Sequence, residues 1–204
     1  MTNFIICVYA TENTPYPEIA NEYVIPSLQS LNLAYDFQIV PNLGTWQYNT
    51  SYKPTFARTM LEKHKDKNVV LLDADARVFQ YPELLNLIPE EYNFAAHFLD
   101  HNTWYQNGSN FKELVSSCVF LRNCNRTLEL VKKWEYKCQN SQLWEQKVLQ
   151  RLLEAEKESV YNLPLRYCYI NTVRGTQEPY VKCDDVVIKQ YQASRTTKQH
   201  IKEF

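Results

Sequence analysis

The chain has 204 residues, of which 45% are apolar and 22% charged, a composition typical of a soluble globular domain. Its formal net charge of −1 excludes a global positive field for nucleic acid, and the basic segment at residues 63–67 is typical of a solvated helix end. The chain has only 3 glycines, which is too few for most glycine-rich phosphate-binding loops.

Strand and helix patterns alternate along the chain, which favours a layered α/β fold. Apolar runs of strand length predict strands at residues 4–9, 35–40, 69–72, 94–99, 114–121, 167–170 and 186–191. Helices are predicted from residue 17 onward and at 54–65, 82–87, 126–138 and 143–157. Pro26 is expected to kink or end the first helix. Loops are predicted at 42–50 and 100–110, and residues 194–204 form a polar basic tail of one domain spanning 1–204.

Targeting and redox features predict a cytosolic protein. The first apolar run lacks a basic flank and is too short for a signal peptide, and no run approaches the roughly 20 apolar residues of a membrane span. The 6 cysteines form no Cys-x-x-Cys pair and have no histidine at zinc-like spacing. We therefore expect reduced thiols, with Cys7 and Cys118 buried in strands.

Two carboxylates, Asp73 and Asp75, directly follow the apolar run at 69–72. Ligands of open α/β sheets bind at the carboxyl ends of strands, and side chains two residues apart on extended chain point the same way. Both carboxylates are therefore expected to face one Mg²⁺ or Mn²⁺ ion, which would neutralise the charge on the departing diphosphate of a nucleotide sugar. The alternative is that both residues only shape the turn after the strand.

Segments spread over residues 4–195 agree in order and spacing with one family. VVLLDADARVFQYPELL resembles its metal-binding segment, and Lys53-Pro54 with Arg58 resembles the helix start before it. LVSSCVFLRN resembles its acceptor-side strand, and VVIKQYQASR resembles its closing segment. Trp144-Glu145-Gln146 resembles the pair of an acidic residue and Gln that begins a late helix in this family. The family is the GT-A nucleotide-diphospho-sugar transferases.

This resemblance implies a Rossmann-like α/β domain with a mixed, mostly parallel central sheet flanked by helices. It implies a glycosyltransferase that uses a nucleoside diphosphate sugar, most often a UDP-sugar, and Mn²⁺ or Mg²⁺ for transfer to an acceptor hydroxyl. The families with the closest motif order are mostly retaining, so retention is expected by analogy.

Donor-binding roles follow from the same resemblance. Tyr9 and Thr11 end the first strand, where the base and ribose would lie, and Lys53 would meet the diphosphate as a point charge. Arg58 would reach a phosphate or the sugar, or hold Asp73. Arg195 would contact the pyrophosphate. Each of these residues also has a purely structural alternative, as a core, turn, surface or tail residue.

Catalytic roles are expected at Glu145 and Gln146, which would bind sugar hydroxyls or stabilise the oxocarbenium-like centre. The alternative is an exposed helix start, since Glu favours a first turn. His97 and Asp100, after a strand on the acceptor side, are candidate general bases, although a lone histidine near a strand is more often structural.

Two departures from the family pattern bear on activity. Ser117 replaces the glycine of the acceptor strand, and Gln190 replaces the closing histidine, a common third metal ligand. Gln oxygen can ligate a hard cation but is a weaker, neutral donor. Gln190 therefore predicts either low metal affinity before the donor arrives or lost activity, in which case the chain is a sugar-nucleotide-binding module.

The other enzyme class that fits the acidic pair is a HAD-like phosphatase with Asp73 as nucleophile and Asp184-Asp185 as the late acidic pair. Arg77 argues against it, because that family has Thr or Ser there. A nucleotidyltransferase would need a glycine-rich loop, which the 3 glycines of this chain do not provide.

The acceptor stays open among saccharide, lipid-linked glycan, protein and modified nucleic-acid base, and a monomer or a homodimer is expected. A phage enzyme acting on modified DNA bases is the speculative case, for which a basic tail would contact phosphate. The tail residues are Lys189, Arg195, Lys198 and Lys202.

Overall fold

The computed structural model describes residues 3–170 and 181–193 of the chain. The helices are α1 (Tyr16–Glu22), α2 (Val24–Ser30), α3 (Trp46–Ser51), α4 (Lys53–Lys63), α5 (His101–Tyr105), α6 (Asn125–Gln139) and α7 (Glu145–Ala155), with 3₁₀ turns at Glu83–Asn86 and Leu165–Tyr167. The strands are β1 (Phe4–Thr11), β2 (Tyr35–Val40), β3 (Asn68–Leu72), β4 (Ala76–Val78), β5 (Phe94–Asp100), β6 (Lys112–Leu121), β7 (Val160–Asn162), β8 (Tyr169–Ile170) and β9 (Ile188–Gln190).

The central sheet contains six of the described strands, in the order β2-β1-β3-β6-β5-β7. β1 runs parallel to β2 and β3, and β5 runs parallel to β7, whereas β6 is antiparallel to both of its neighbours. A smaller sheet has the order β4-β9-β8, in which β4 is antiparallel to β9. The structure confirms the predicted mixed α/β fold.

Helices cover both faces of the central sheet, which explains the continuous apolar runs of its strands. Along β1, Phe4, Ile6 and Val8 face one core that includes α1, α2 and the smaller sheet. The alternate residues Ile5 and Cys7 face a second core built from α4, α6 and α7. This period of two fixes which face each strand residue occupies.

Short elements account for most differences from the predicted secondary structure. β4 and β7 have three residues each and no apolar run of their own, so no pattern predicted them. The predicted loops contain α3 and α5, which begin after Thr45 and Asp100, and each of these residues accepts a hydrogen bond from the backbone of its helix. The first helix breaks at Tyr23, and Pro26 lies in the first turn of α2, where its missing N–H costs nothing.

The cysteines and the hydropathy pattern agree with two sequence expectations. All 6 cysteines are free thiols, and Cys7 and Cys118 are fully buried in the strands where they were predicted. Within the described residues, no helix is long and apolar enough to cross a membrane.

Candidate active site

The two aspartates lie in a tight turn that joins the central sheet to the smaller one. Asp73 donates its backbone N–H to the carbonyl of Ser117 on β6 (3.0 Å), and Ala76 at the start of β4 donates to the carbonyl of Asp73 (3.1 Å). The side chain of Asp73 is 36% exposed, whereas Asp75 is buried. The turn therefore presents one carboxylate at the surface and one below it, at the carboxyl end of β3.

Lys53 at the start of α4 lies beneath Asp73. Its Nζ is 2.7 Å from Asp73 Oδ1 and donates to the carbonyl of Ser116 (3.0 Å), and it lies 3.6 Å from Glu145 Oε1. Burial by itself lowers the pKa of Lys53, but the carboxylates of Asp73 and Glu145 outweigh it and raise the pKa above its ordinary value. Lys53 is thus a buried cation that neutralises and orients Asp73, rather than an exposed point charge.

Glu145 and Gln146 open α7 and turn toward β6. Ser116 Oγ donates to Glu145 Oε1 (2.8 Å), and the backbone N–H of Ser116 donates to Gln146 Oε1 (3.0 Å). Gln146 Nε2 in turn donates to Glu113 Oε1 (2.8 Å). Glu145 is only 5% exposed, so the structure contradicts the alternative of an exposed helix start.

Gln190 reaches the acidic turn through strand pairing. It lies opposite Ala76 where β9 pairs with β4, one residue from Asp75. Just beyond it, Tyr191 donates its backbone N–H to the carbonyl of Asp75 (3.1 Å), and Ala193 donates to Asp75 Oδ2 (2.6 Å). The closing segment therefore binds the acidic turn mainly through its backbone.

The amide of Gln190 is buried, and no described residue forms a hydrogen bond with it. The residue is 1% exposed, and neither Oε1 nor Nε2 is satisfied by any part of the chain that the structure describes. An unsatisfied buried polar group costs about 1–3 kcal/mol, so such a group in a native fold calls for a ligand. An amide oxygen on the strand paired with the acidic turn, together with two carboxylates, is a donor set that suits a hard divalent cation.

The charge balance of the cluster also fits a cation. The ammonium of Lys53 pairs with the carboxylates of Asp73 and Glu145, and a third carboxylate, that of Asp75, interacts with Asp73. Burial and the negative charge of Asp73 raise the pKa of Asp75 to about 6. Among residues 3–170 and 181–193, no group of three His, Cys, Asp or Glu side chains is placed to hold a metal alone. An ion bound here would need further oxygens, such as those of a diphosphate.

The residues predicted to meet the nucleotide are packed into the protein. Tyr9 packs edge to face against Tyr52 and at a tilt against Phe56, and its hydroxyl donates to the carbonyl of Asn49 (3.2 Å). Burial raises its pKa above the ordinary tyrosine value. Thr11 is 5% exposed. Both residues lie near the carboxyl end of β1, and their side chains contribute to its packing.

Arg58 does not hold Asp73, which was one of the roles expected for it. It follows Lys53 by five positions on α4, which turns it about 140° around the helix. There its Nε is 2.7 Å from Glu135 on α6, and its Nη1 is 3.1 Å from Glu62. Its guanidinium therefore links two helices on a face away from the acidic turn.

The candidate general bases have structural roles in this structure. His97 is buried, and its Nδ1 donates to the carbonyl of Leu163 (2.8 Å), while burial lowers its pKa. Asp100 caps α5 by accepting from the backbone N–H of Thr103 (2.8 Å). Arg195, predicted to contact the pyrophosphate, lies outside the described residues, as do Lys198 and Lys202.

Sequence reasoning missed the residues that tie the cluster together. Ser116 was not among the residues singled out from the sequence, yet it contacts Lys53, Glu145 and Gln146. Trp134 on α6 was not singled out either, and its Nε1 donates to the carbonyl of Glu145 (2.9 Å). No spacing rule links these positions, because the contacts form between separate elements.

The phosphatase alternative finds no support in this arrangement. Its nucleophile, Asp73, is held by Lys53, and its late acidic residue, Asp185, forms a surface ion pair with Arg166 (2.7 Å). The side chain of Asp185 is 64% exposed and contributes nothing to the cluster.

Solved glycosyltransferase structures share this fold. A glycosyltransferase involved in glycosylation of the major capsid of PBCV-1 aligns with a TM-score of 0.69 at 15% identity, over 97% of this chain and 98% of that one. Mouse xyloside xylosyltransferase 1 aligns with a TM-score of 0.59 at 11% identity, over 94% and 98%. The galactosyltransferase LgtC, solved with donor and acceptor sugar analogs, aligns with a TM-score of 0.55 at 12% identity, over 92% and 87%.

Sequence comparison identifies the family. No curated protein sequence matches the chain significantly. A family model for nucleotide-diphospho-sugar transferases does match, over residues 35–190, which include the acidic turn, the start of α7 and Gln190. The match covers well over half of the chain, and the fold agrees with it. The chain belongs to the nucleotide-diphospho-sugar transferases, a family of glycosyltransferases.

Proposed function

We propose that the protein is a metal-dependent glycosyltransferase that moves a sugar from a UDP-sugar to an acceptor hydroxyl, with retention of the anomeric configuration. The observation that supports the metal dependence is the buried amide of Gln190, which no described residue satisfies and which belongs to the strand position paired with Ala76, one residue from the buried Asp75. UDP and retention rest on the family resemblance. The free thiols are in keeping with a reducing compartment such as the cytosol.

In this proposal, Asp73, Asp75 and Gln190 hold a Mn²⁺ or Mg²⁺ ion together with the donor diphosphate. When bound, the ion supplies Lewis-acid neutralisation of the departing diphosphate. Lys53 keeps Asp73 ionised and fixes its orientation, since its Nζ is 2.7 Å from the carboxylate. A bound cation would also favour the charged form of Asp75, whose pKa of about 6 lies close to neutrality without one.

Glu145 and Gln146 face the donor sugar in this proposal. Their side chains are anchored by Ser116, so little conformational freedom is lost when they meet sugar hydroxyls or a developing positive charge. Arg195, two residues beyond Ala193, would contact the pyrophosphate.

The first test is thermal stability against nucleoside diphosphates and nucleotide sugars, with and without Mn²⁺. A ligand at about one hundred times its Kd adds roughly 2.7 kcal/mol to the free energy of unfolding. We expect a Mn²⁺-dependent rise in Tm with UDP and one UDP-sugar, lost in Asp75→Asn. Asp185→Asn is the matched control, because the side chain of Asp185 contacts Arg166 at the surface.

Two results would contradict this proposal. If no nucleotide changes the Tm of the wild type, the protein does not bind the proposed donor. If Asp75→Asn shows the same rise in Tm as the wild type, the metal site does not lie at the acidic turn. A shift without donor hydrolysis or transfer would instead support an inactive donor-binding module, which the Gln190 replacement also permits. The anomeric configuration of the product, read by NMR, tests retention.

A further inference from the structure

Glu113, the second residue of β6, joins the start of α7 to α5. Its Oε1 accepts a hydrogen bond from Gln146 Nε2 (2.8 Å), and its Oε2 accepts one from His101 Nε2 (2.8 Å). The side chains of Glu113 and His101 are 17% and 22% exposed. One carboxylate therefore connects the amide that faces the donor sugar in the proposed function to a histidine on a separate element.

These contacts determine which way the amide of Gln146 points. A glutamine amide has an oxygen end and a nitrogen end of nearly equal size, so shape alone does not distinguish its two orientations. The backbone N–H of Ser116 donates to Oε1 (3.0 Å), and the carboxylate of Glu113 accepts from Nε2. In the reversed amide, two donors would meet at Ser116 and two acceptors would meet at Glu113. Only one orientation satisfies both neighbours.

Gln150, one turn further along α7, shows what a purely structural glutamine does at this interface. Its Oε1 also accepts from the backbone of β6, at Leu114 (3.0 Å). Its Nε2 donates both to the carbonyl of Lys112 (3.0 Å) and to Glu154 Oε1 (2.9 Å), so both hydrogens of this amide are used within the protein. Gln150 therefore fastens α7 to β6 and has no N–H left for a ligand.

Gln146 differs from Gln150 in the number of N–H groups that the protein uses. An amide nitrogen carries two hydrogens, and within the described residues Gln146 Nε2 donates only to Glu113. Gln146 directly follows Glu145, whose Oε1 lies 3.6 Å from Lys53 Nζ in the acidic cluster. The second N–H therefore belongs to a residue beside the proposed donor pocket, and a neutral donor of this kind suits a sugar hydroxyl.

The carboxylate of Glu113 is held in turn from the side of α5. The ring of His101, the first residue of α5, meets Tyr105 and Phe111 edge to face, with ring centroids 4.9 Å apart in each case. The backbone N–H of His101 also donates to the carbonyl of Phe111 (3.0 Å). These contacts fix the imidazole, which fixes Oε2 of Glu113. The hydrogen-bond acceptor for Gln146 is thus in place before a substrate arrives, which reduces the entropy lost on reaching the reactive geometry.

We propose that Glu113 is a positioning residue, which orients the amide of Gln146 so that its second N–H donates to a hydroxyl of the donor sugar. This inference rests on the proposed function, because it requires a sugar in the donor pocket. The alternative is that Glu113 only pairs with His101 near the surface. In that case neither the amide resonances of Gln146 nor the turnover of the donor would depend on Glu113.

The orientation is tested without substrate by ¹H–¹⁵N NMR of the Gln146 side-chain amide, assigned by its loss in Gln146→Met. We expect the N–H bonded to Glu113 to lie downfield of the other, because a carboxylate is a strong acceptor. Glu113→Leu should shift this N–H upfield, whereas Glu113→Gln, whose carbonyl can still accept, should retain much of the downfield shift. Glu154→Leu is the matched control, since it removes the carboxylate partner of Gln150 and should leave the Gln146 resonances unchanged.

The sugar contact is tested with Mg²⁺ and UDP-glucose, UDP-galactose or UDP-xylose. The second N–H of Gln146 should shift with at least one of these donors and should not shift with UDP alone. Release of UDP from the same donors measures their hydrolysis. Glu113→Leu should lower kcat about tenfold and leave KM within about twofold, because the contact acts in the transition state. Glu113→Gln should recover most of this loss, and Glu154→Leu should match the wild type.

Tm and circular dichroism are recorded for every variant, so that unfolding is recognised. If Glu113→Leu does not fold, Glu113→Asp replaces it, because Asp keeps the charge but draws the carboxylate back from Gln146 by one methylene. Glu113→Asp should then shift the same N–H upfield and lower kcat in the same way.

Three outcomes would overturn the inference. The first is a set of Gln146 resonances that is the same in the wild type, Glu113→Leu and Glu113→Asp. The second is a second N–H that responds equally to UDP and to the UDP-sugars. The third is an equal loss of kcat in Glu154→Leu. If neither UDP nor any UDP-sugar raises the Tm of the wild type, the proposed function and the sugar contact both fail, whereas the spectra without ligand still show whether Glu113 orients the amide.

Discussion

Trp134 donates a hydrogen bond from its indole Nε1 to the backbone carbonyl of Glu145 across 2.9 Å, and so joins the middle of α6 to the first residue of α7. Trp134 itself is fully buried. The position of Glu145 opposite Lys53 therefore depends on a core residue that touches neither the acidic turn nor a substrate. Packing and site geometry are coupled at this contact.

Replacing Trp134 with Phe should destabilise the fold by about 2 kcal/mol, because the change removes a buried hydrogen bond and leaves unfilled volume. Urea unfolding followed by circular dichroism measures the free energy of unfolding. The same replacement at the exposed Trp144 is the matched control and should change that free energy by less than about 0.5 kcal/mol. Equal effects at the two positions would contradict the assigned role.

Replacing Lys53 with Met should cost about 3–5 kcal/mol, because it leaves the carboxylates of Asp73 and Glu145 without their buried partner. Lys65→Met, at an exposed position, should be nearly neutral. In urea unfolding, the double variant Lys53→Met with Glu145→Gln should lose less stability than the sum of the single variants. Strict additivity would show that the two residues do not interact.

Replacing Gln190 with Met should stabilise the protein without ligands by about 1–3 kcal/mol, since it conserves volume and removes two buried polar atoms for which residues 3–170 and 181–193 provide no partner. It should also abolish the Mn²⁺-dependent rise in Tm with UDP. Gln150→Met is the matched control, because the amide of Gln150, which is also buried, is fully used by Leu114, Lys112 and Glu154. There the same change should destabilise the fold, and a loss of stability in Gln190→Met would contradict the prediction.

His97 should make the fold less stable in mild acid. Burial lowers its pKa in the folded state, so the unfolded chain binds the proton more readily and stability rises with pH. The contribution of neutral His97 is present above the ordinary histidine pKa of about 6.5 and is lost as the pH falls through the lower folded value. Urea unfolding between pH 5 and 8 should show a steeper loss toward acid in the wild type than in His97→Gln, and parallel curves would contradict this.

The amino-acid sequence predicted the fold class because its central strands are buried on both faces and therefore appear as continuous apolar runs. Phe4–Thr11 and Asn68–Leu72 are the clearest examples. The same signal is lacking in Ala76–Val78, a three-residue strand that is held by pairing with β9 rather than by its own composition. A strand whose limits are set by its pairing partner cannot be predicted from the pattern of its own residues.

The site shows a similar division. Asp73 and Asp75 were placed at a sheet edge by the strand before them, and the structure brings Lys53 and Glu145 to the same cluster. The sequence could not show that Arg58 pairs with Glu135 and not with Asp73, because its position depends on which side of α4 meets the sheet, and that is decided by packing against α6. The roles in donor binding and catalysis stay predictions.

The position of β6 between β3 and β5 has a consequence for how the chain is made. A ribosome delivers β1, β2 and β3 first, and these three can pair in parallel before residues 112–121 exist. Until then β3 is an unpaired edge strand composed mostly of apolar residues, and such a strand can pair with another chain. During synthesis, the strand that is central in the folded sheet is therefore for a time an unpaired edge strand that can pair with other chains. Fragments that end before residue 112 should aggregate for this reason.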